Sequence, residues 1–195
     1  MITSNIGKIF LDAYNEEYGT SYDARTFFLE QFYPLFFDQN KYMMTAGNSP
    51  LENPKLSWDD MIKGKKPFET HEQRKIRFEK LIKKIEESEA DASIARGYAS
   101  LDVTATTSGQ VTDLKLPNSQ EEIYTSWIGD ALGIGVQGGF SILFSNKEIL
   151  LDIFEGWKLY RTSLNETTML KGNQINTWNG QWLSHYYDDR VYDEK

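Results

Sequence analysis

Ten aromatic side chains fall between Tyr14 and Tyr42, and a chain that carries them so densely needs a core large enough to hide most of them. Ile6, Ile9, Phe10 and Ala13 recur at helical spacing after Ser4-Asn5, and the pattern stops at Gly19, which predicts one amphipathic helix. A second is expected to start near Ser21 or Asp23 and to run through Phe27, Phe28, Leu29 and Phe32 to Tyr33-Pro34, because the residue before a proline is pushed out of helical geometry. An aromatic stripe at helical spacing is more often packing than a stacking platform, so most of these rings are assigned to the core. At 195 residues, a single domain can bury such a core without covalent staples.

Composition narrows the chemistry. The chain has no cysteine, which excludes disulfides, thiolate nucleophiles and cysteine-built zinc sites. His71 and His185 are its two histidines, so a bound metal is expected to be a hard, oxygen-ligated Mg²⁺ or Mn²⁺, with no zinc. The N-terminus lacks a basic region followed by an apolar run, and with the missing cysteines this predicts a cytoplasmic protein. The most apolar window, Trp127 to Phe144, is interrupted by Asp130 and Gln137 and holds five glycines, so it reads as buried core and not as a membrane span.

The remaining pattern is helical with a few short strands. Residues 43–67 contain Gly47, Pro50, Pro54, Gly64 and Pro67 and read as a long loop. Thr70 with Gln73 makes a capping box for a helix whose Phe78, Leu81, Ile82 and Ile85 form an apolar stripe. Pro117-Asn118-Ser119 starts another through Ile123, Trp127 and Leu132, with Glu121 and Glu122 placed against its dipole. Phe140 to Phe144 is a short apolar strand, and Ser145-Asn146 then cap a long helix carrying Leu150, Ile153, Phe154, Trp157 and Leu164. Asp188 to Lys195 is expected to fray. The expected fold is α+β: a mostly helical single domain, residues 1–195, around a small antiparallel or mixed sheet. Within it, 1–69 form an aromatic-rich helical part and loop, 70–165 an α/β core, and 166–195 a C-terminal segment.

Charge is unevenly spread. The formal net charge is −8, yet residues 62–84 carry nine Lys/Arg against three Asp/Glu. Lys75, Arg77, Lys80, Lys83 and Lys84 on the capped helix are therefore candidates for phosphate contacts to DNA or RNA, although a charge run is also what any solvated helix face looks like.

Around Ser108-Gly109, residues 99–106 and 111–116 alternate with the period of a half-buried hairpin. Leu101, Val103, Leu114 and Leu116 lie on one face; Asp102, Asp113 and Lys115 lie on the other. With a two-residue turn Asp102 stands opposite Lys115, so a plain cross-strand ion pair on a wet face is one reading. The other is catalytic. A helix, then Asp102, then Asp113-Leu114-Lys115, then Gln120-Glu121-Glu122-Ile123-Tyr124 resembles the PD-(D/E)XK nuclease superfamily over about residues 70–145. The resemblance implies a metal-dependent nuclease in which Asp102 and Asp113 ligate Mg²⁺ or Mn²⁺, Lys115 stabilises developing charge, and Glu86 or Glu87 adds a ligand. The alternative is a non-catalytic subunit of a larger assembly, binding nucleic acid through the basic helix or a protein partner through the aromatic regions.

Two further segments invite a ligand reading. Gly133-Ile134-Gly135-Val136-Gln137-Gly138 matches the dinucleotide fingerprint literally, but a helix precedes it and a strand follows, the reverse of what phosphate binding needs, so no nucleotide cofactor is expected. Lys171 to His185 is dense in amides and indoles; Ile175, Trp178 and Trp182 share a helical face, while Asn179-Gly180 is a strong hairpin turn.

Overall fold

The computed structural model of the protein describes residues 1–43, 45, 51–52, 58–87, 94–97, 119–137, 140–170 and 174–193. Within them the expected class holds: mostly helix, with one small two-stranded antiparallel sheet. The predicted hairpin at 99–116, and with it Asp102, Asp113 and Lys115, lies outside the described residues.

Helix α1 (Ile2–Tyr18) begins two residues before Ser4 and ends where Gly19, at φ 62°, turns its N–H back to the Asn15 carbonyl. Asp23 caps α2 (Ala24–Phe27) by accepting from the Thr26 N–H at 2.6 Å. The expected stop at Tyr33-Pro34 does not occur. Phe28–Phe32 form a π-helical turn whose Tyr33 N–H reaches back to the Phe28 carbonyl, and the helix continues as α3 (Tyr33–Phe36) with Pro34 in its first turn. A regular α-turn would drive the proline ring against a carbonyl; the wider turn relieves that clash.

The sequence loop at 43–67 contains a short helix, α4 (Trp58–Ile62), with Asp59 and Asp60 in its first turn. It is too short to show periodicity. Helix α5 (His71–Glu87) has the predicted capping box, with the Thr70 N–H donating to Gln73 at 2.9 Å and the Gln73 N–H to the Thr70 hydroxyl at 3.3 Å. The same device starts α6 (Gln120–Ala131), through Ser119 and Glu122. After it come β1 (Ile134–Val136) and β2 (Phe140–Ile142), paired Ile134 to Ile142 and Val136 to Phe140. The sequence offered one strand here; Gly133 and Gly135, on either side of Ile134, hid the other. Asn146 caps α7 (Lys147–Glu166), and α8 (Ile175–Asp193) runs on as helix where fraying from Asp188 was expected.

Eight of the ten N-terminal aromatics are buried, all but Tyr18 and Tyr22, and their packing is specific. The Phe32 and Phe36 rings stack at 4.2 Å, Phe36 meets Trp157 edge-on at 4.8 Å, and Phe28 packs between Tyr124 and Trp127 of α6. Helices α1 and α6 cross through glycine. A Cβ on Gly7 would stand 1.9 Å from the Thr125 carbonyl oxygen, and one on Gly129 would stand 1.9 Å from that of Thr3, so no side chain fits at either position. Among the described residues no helix is long and apolar enough to cross a membrane.

Candidate functional site

Every α-helix ends with carbonyls that lack an intrahelical partner, and three of these ends are closed by side chains from elsewhere in the chain. At α3, the buried Arg161 donates to the carbonyls of Leu35 (2.8 Å), Phe36 (3.3 Å) and Lys41 (2.6 Å). At α7, Lys41 returns the arrangement, its ammonium donating to Leu164, Thr167 and Thr168 at 3.0, 2.6 and 2.9 Å. At α6 the donors are neutral. Asn176 bonds the Asp130 and Gly133 carbonyls at 3.1 and 3.0 Å, and the buried Asn179 bonds those of Ala131 and Gly133 at 2.8 Å each.

That third end forms the floor of a cleft of about 1080 Å³ between α8 and the β1–β2 hairpin. Asn179 also accepts from the Trp157 indole at 3.0 Å, Trp178 donates to the Gly156 carbonyl at 2.9 Å, and Trp182 donates to that of Asp152 at 2.7 Å. These bonds explain why Asn179-Gly180 is helix and not a turn: tertiary partners for the amide outweigh local turn preference. Gly180 lets α8 come close to β1, since a Cβ there would stand 2.9 Å from the Gly135 oxygen.

What the fold leaves over faces the cleft. Gln137 in the hairpin turn and Thr177, Gln181 and Ser184 on α8 are exposed there, and their side chains make no hydrogen bond among the described residues. His185 and Asp188 extend the same wall, while Val136 and Phe140, the latter 72% exposed, supply apolar surface opposite. No Lys or Arg occurs among the described residues that line the cleft.

Asp130 lies at the floor, in the last turn of α6, where a carboxylate meets the negative end of the helix dipole. Its side chain makes no hydrogen bond among the described residues. Burial pushes its pKa up; the nearby Arg96 guanidinium works against that shift, and the Glu52 carboxylate adds to it. Arg96 does not neutralise Asp130 directly, being held by Glu52 at 3.1 Å and Thr45 at 3.2 Å, with its guanidinium 4.2 Å over the Trp127 ring. The sequence did carry a signal for this site. Asp130 and Gln137 were the two polar interruptions of the most apolar window, and both line the cleft.

The basic helix looks different in three dimensions. Arg77 is turned inward, donating to the Leu51 carbonyl at 2.5 Å and pairing with Glu69. Lys75 and Lys83 approach Glu79 and Glu87 at 4.0 and 3.9 Å, and Lys80 and Lys84 are exposed. Glu72, Glu79, Glu86 and Glu87 share that exposed surface, so the face is of mixed sign. Glu86 pairs with Arg25 at 3.2 Å, which occupies the carboxylate offered as a metal ligand. Among the described residues no group of three or more His, Asp or Glu side chains could hold a metal ion.

Comparison with family models, curated proteins and solved structures finds no match to this chain. The resemblance to PD-(D/E)XK nucleases therefore rests on the sequence motif alone.

Proposed function

We propose that this chain is a non-catalytic binding subunit that seats a segment of a partner protein in the cleft between α8 and the β1–β2 hairpin. One observation carries the reading: among the described residues, the amides and hydroxyls of the cleft-lining Gln137, Thr177, Gln181 and Ser184 take no part in the hydrogen bonding that holds the fold. An extended peptide needs such groups for its backbone and an apolar strip, here Val136 and Phe140, for alternate side chains. The absence of cations from the described lining speaks against nucleic-acid phosphates as the occupant of this cleft. The cytoplasmic setting belongs to the same proposal.

Peptide display on the immobilised protein tests it. Selected peptides should lose about tenfold or more in affinity when the cleft is filled by Ser184→Trp or Gln181→Trp. Undiminished binding to both filled variants would place the site elsewhere.

The nuclease reading stands beside this one on the pattern of Asp102 and Asp113-Leu114-Lys115. A Mg²⁺ or Mn²⁺ held by the two aspartates would supply an activated water, with Lys115 steadying the charge that develops. Mn²⁺ binding that is lost in Asp113→Ala, together with cleavage of DNA or RNA, would support it. No metal uptake by the wild-type chain would remove it. The phosphate-contact role of Lys75, Lys80, Lys83 and Lys84 is tested separately, by the salt dependence of any nucleic-acid binding.

A further inference from the structure

We infer that Asp130 is the anchor of the cleft and that it recognises a cationic group, an ammonium or a guanidinium, carried by the ligand; the inference rests on the cleft reading above. Four observations converge. Asp130 lines the floor, and its carboxyl has no hydrogen-bond partner among the described residues. Arg96, the buried cation that acts electrostatically on Asp130, is already held by Glu52 and Thr45. The C-terminus of α6 points its negative end at the same place and is closed by the neutral amides of Asn176 and Asn179, so its field is not cancelled as Arg161 and Lys41 cancel those of α3 and α7. The described lining adds Asp188 and contains no Lys or Arg.

A negative floor inside a cleft with low-dielectric walls attracts a positive group more strongly than the same charge would on an open surface. An organic cation suits the site better than a bare metal ion, which would need several converging ligands that the described residues do not supply. A side chain reaching down to Asp130 also leaves the rest of a peptide at the level of Gln137 and Gln181, where amide donors and acceptors are available.

The test is an NMR titration of the full chain with a capped Gly-Arg-Gly tripeptide, the matched Gly-citrulline-Gly tripeptide, and methylguanidinium alone. The arginine peptide should saturate shifts at the amides of Asp130, Gln137 and Gln181. Citrulline in the ligand or Asp130→Asn in the protein should each weaken binding about tenfold. Asp188→Asn, at the rim, should change it less than about threefold. Saturation by methylguanidinium as well would point to a free amine or guanidine as a sufficient ligand; saturation by the peptide alone would point to a partner's side chain. Equal binding of the citrulline peptide, an unaffected Asp130→Asn variant, or no shift with any probe would overturn the inference. Should Asp130→Asn fail to fold, the arginine-to-citrulline comparison on the wild-type chain still decides. Equal citrulline binding that remains sensitive to Ser184→Trp would leave the cleft reading standing without its cation, whereas insensitivity to that filling would sink the cleft reading itself.

Discussion

At the C-termini of α3 and α7 the last carbonyls meet a buried cation, Arg161 in one case and Lys41 in the other, whereas at the C-terminus of α6 they meet two asparagine amides and share the space with a carboxyl. The first arrangement is electrostatically complete: positive charge sits against the negative end of a dipole, and the donors are taken up by backbone. Arg161 and Lys41 also tie distant parts of the chain together, because each comes from the neighbourhood of the helix end that the other closes. The second arrangement satisfies the hydrogen bonds but not the field. Asp130 is placed where a structural role would call for a lysine, and the unspent negative potential opens into a cleft. The contrast separates side chains that hold the fold from one that the fold holds for something else.

Removing a completed cap should do the most damage. Arg161→Met leaves the carbonyls of Leu35, Phe36 and Lys41 without their donor in a buried setting, and urea unfolding should show a loss of about 3 kcal/mol or more. Burial lowers the Arg161 guanidinium to about 10, still far above neutrality, so this loss should be constant across pH 5 to 8. A loss under about 1 kcal/mol would mean that the cap is ornamental. Asn179→Ala removes the donor to Ala131 and Gly133 and the acceptor for Trp157, and should lower stability by about 2 kcal/mol in the same assay.

Asp130→Asn should behave in the opposite sense. The folded carboxyl holds its proton more tightly than the ordinary value of 3.8 implies, so the ionised form weakens the fold. The wild type should therefore lose stability relative to Asp130→Asn as pH rises from 3.8 through the folded midpoint, and the two should converge below 3.8. Arg96 and Glu52, which act on the carboxyl, and His185 and Asp188 in the cleft are present in both proteins, so only their coupling to the Asp130 charge enters the difference. Thermal melts of the pair across pH check this; a variant less stable than the wild type at neutral pH would contradict it. The smallest effect belongs to the exposed face of α5, where replacing Lys75, Lys80, Lys83 and Lys84 together by glutamine should move stability by no more than about 1 kcal/mol, because each stands in solvent.

How far the sequence foretold this contrast depended on how local each signal was. The Thr70–Gln73 capping box, the helix start at Ser119, the Asn146 cap and the Gly19 stop involve neighbours within a few residues and are legible in the sequence, whereas the reciprocal bonding of Ser119 with Glu122 is a detail that the structure adds. Pro34 misled, because a π-turn accommodates it at a level of detail that residue type does not carry. Gly7 and Gly129 gave no sign, since a lone glycine inside a helix reads as a defect until the partner helix is known to press against it. Asn179-Gly180 was left open between turn and helix, and carbonyls some 46 to 48 residues away decided it. Arg161 and Lys41 were out of reach for the same reason, since each depends on a helix end brought up by tertiary packing, and Asp130 showed only as a polar break in an apolar window, without its setting. The catalytic candidates Asp102, Asp113 and Lys115 came from the alternation and from the motif resemblance to PD-(D/E)XK nucleases, and they lie outside the described residues.

The central claim is that Asp130 is a cleft-lining carboxyl without a hydrogen-bond partner among the described residues and only partly offset by Arg96, and a ¹³C-detected NMR titration of its side chain measures that most directly. The account predicts a midpoint above 3.8 in the free protein and a fall in that midpoint when the arginine tripeptide is bound, because a cation favours the ionised form. A free-protein midpoint at or below 3.8, or one that does not move with the peptide at saturation, would contradict it.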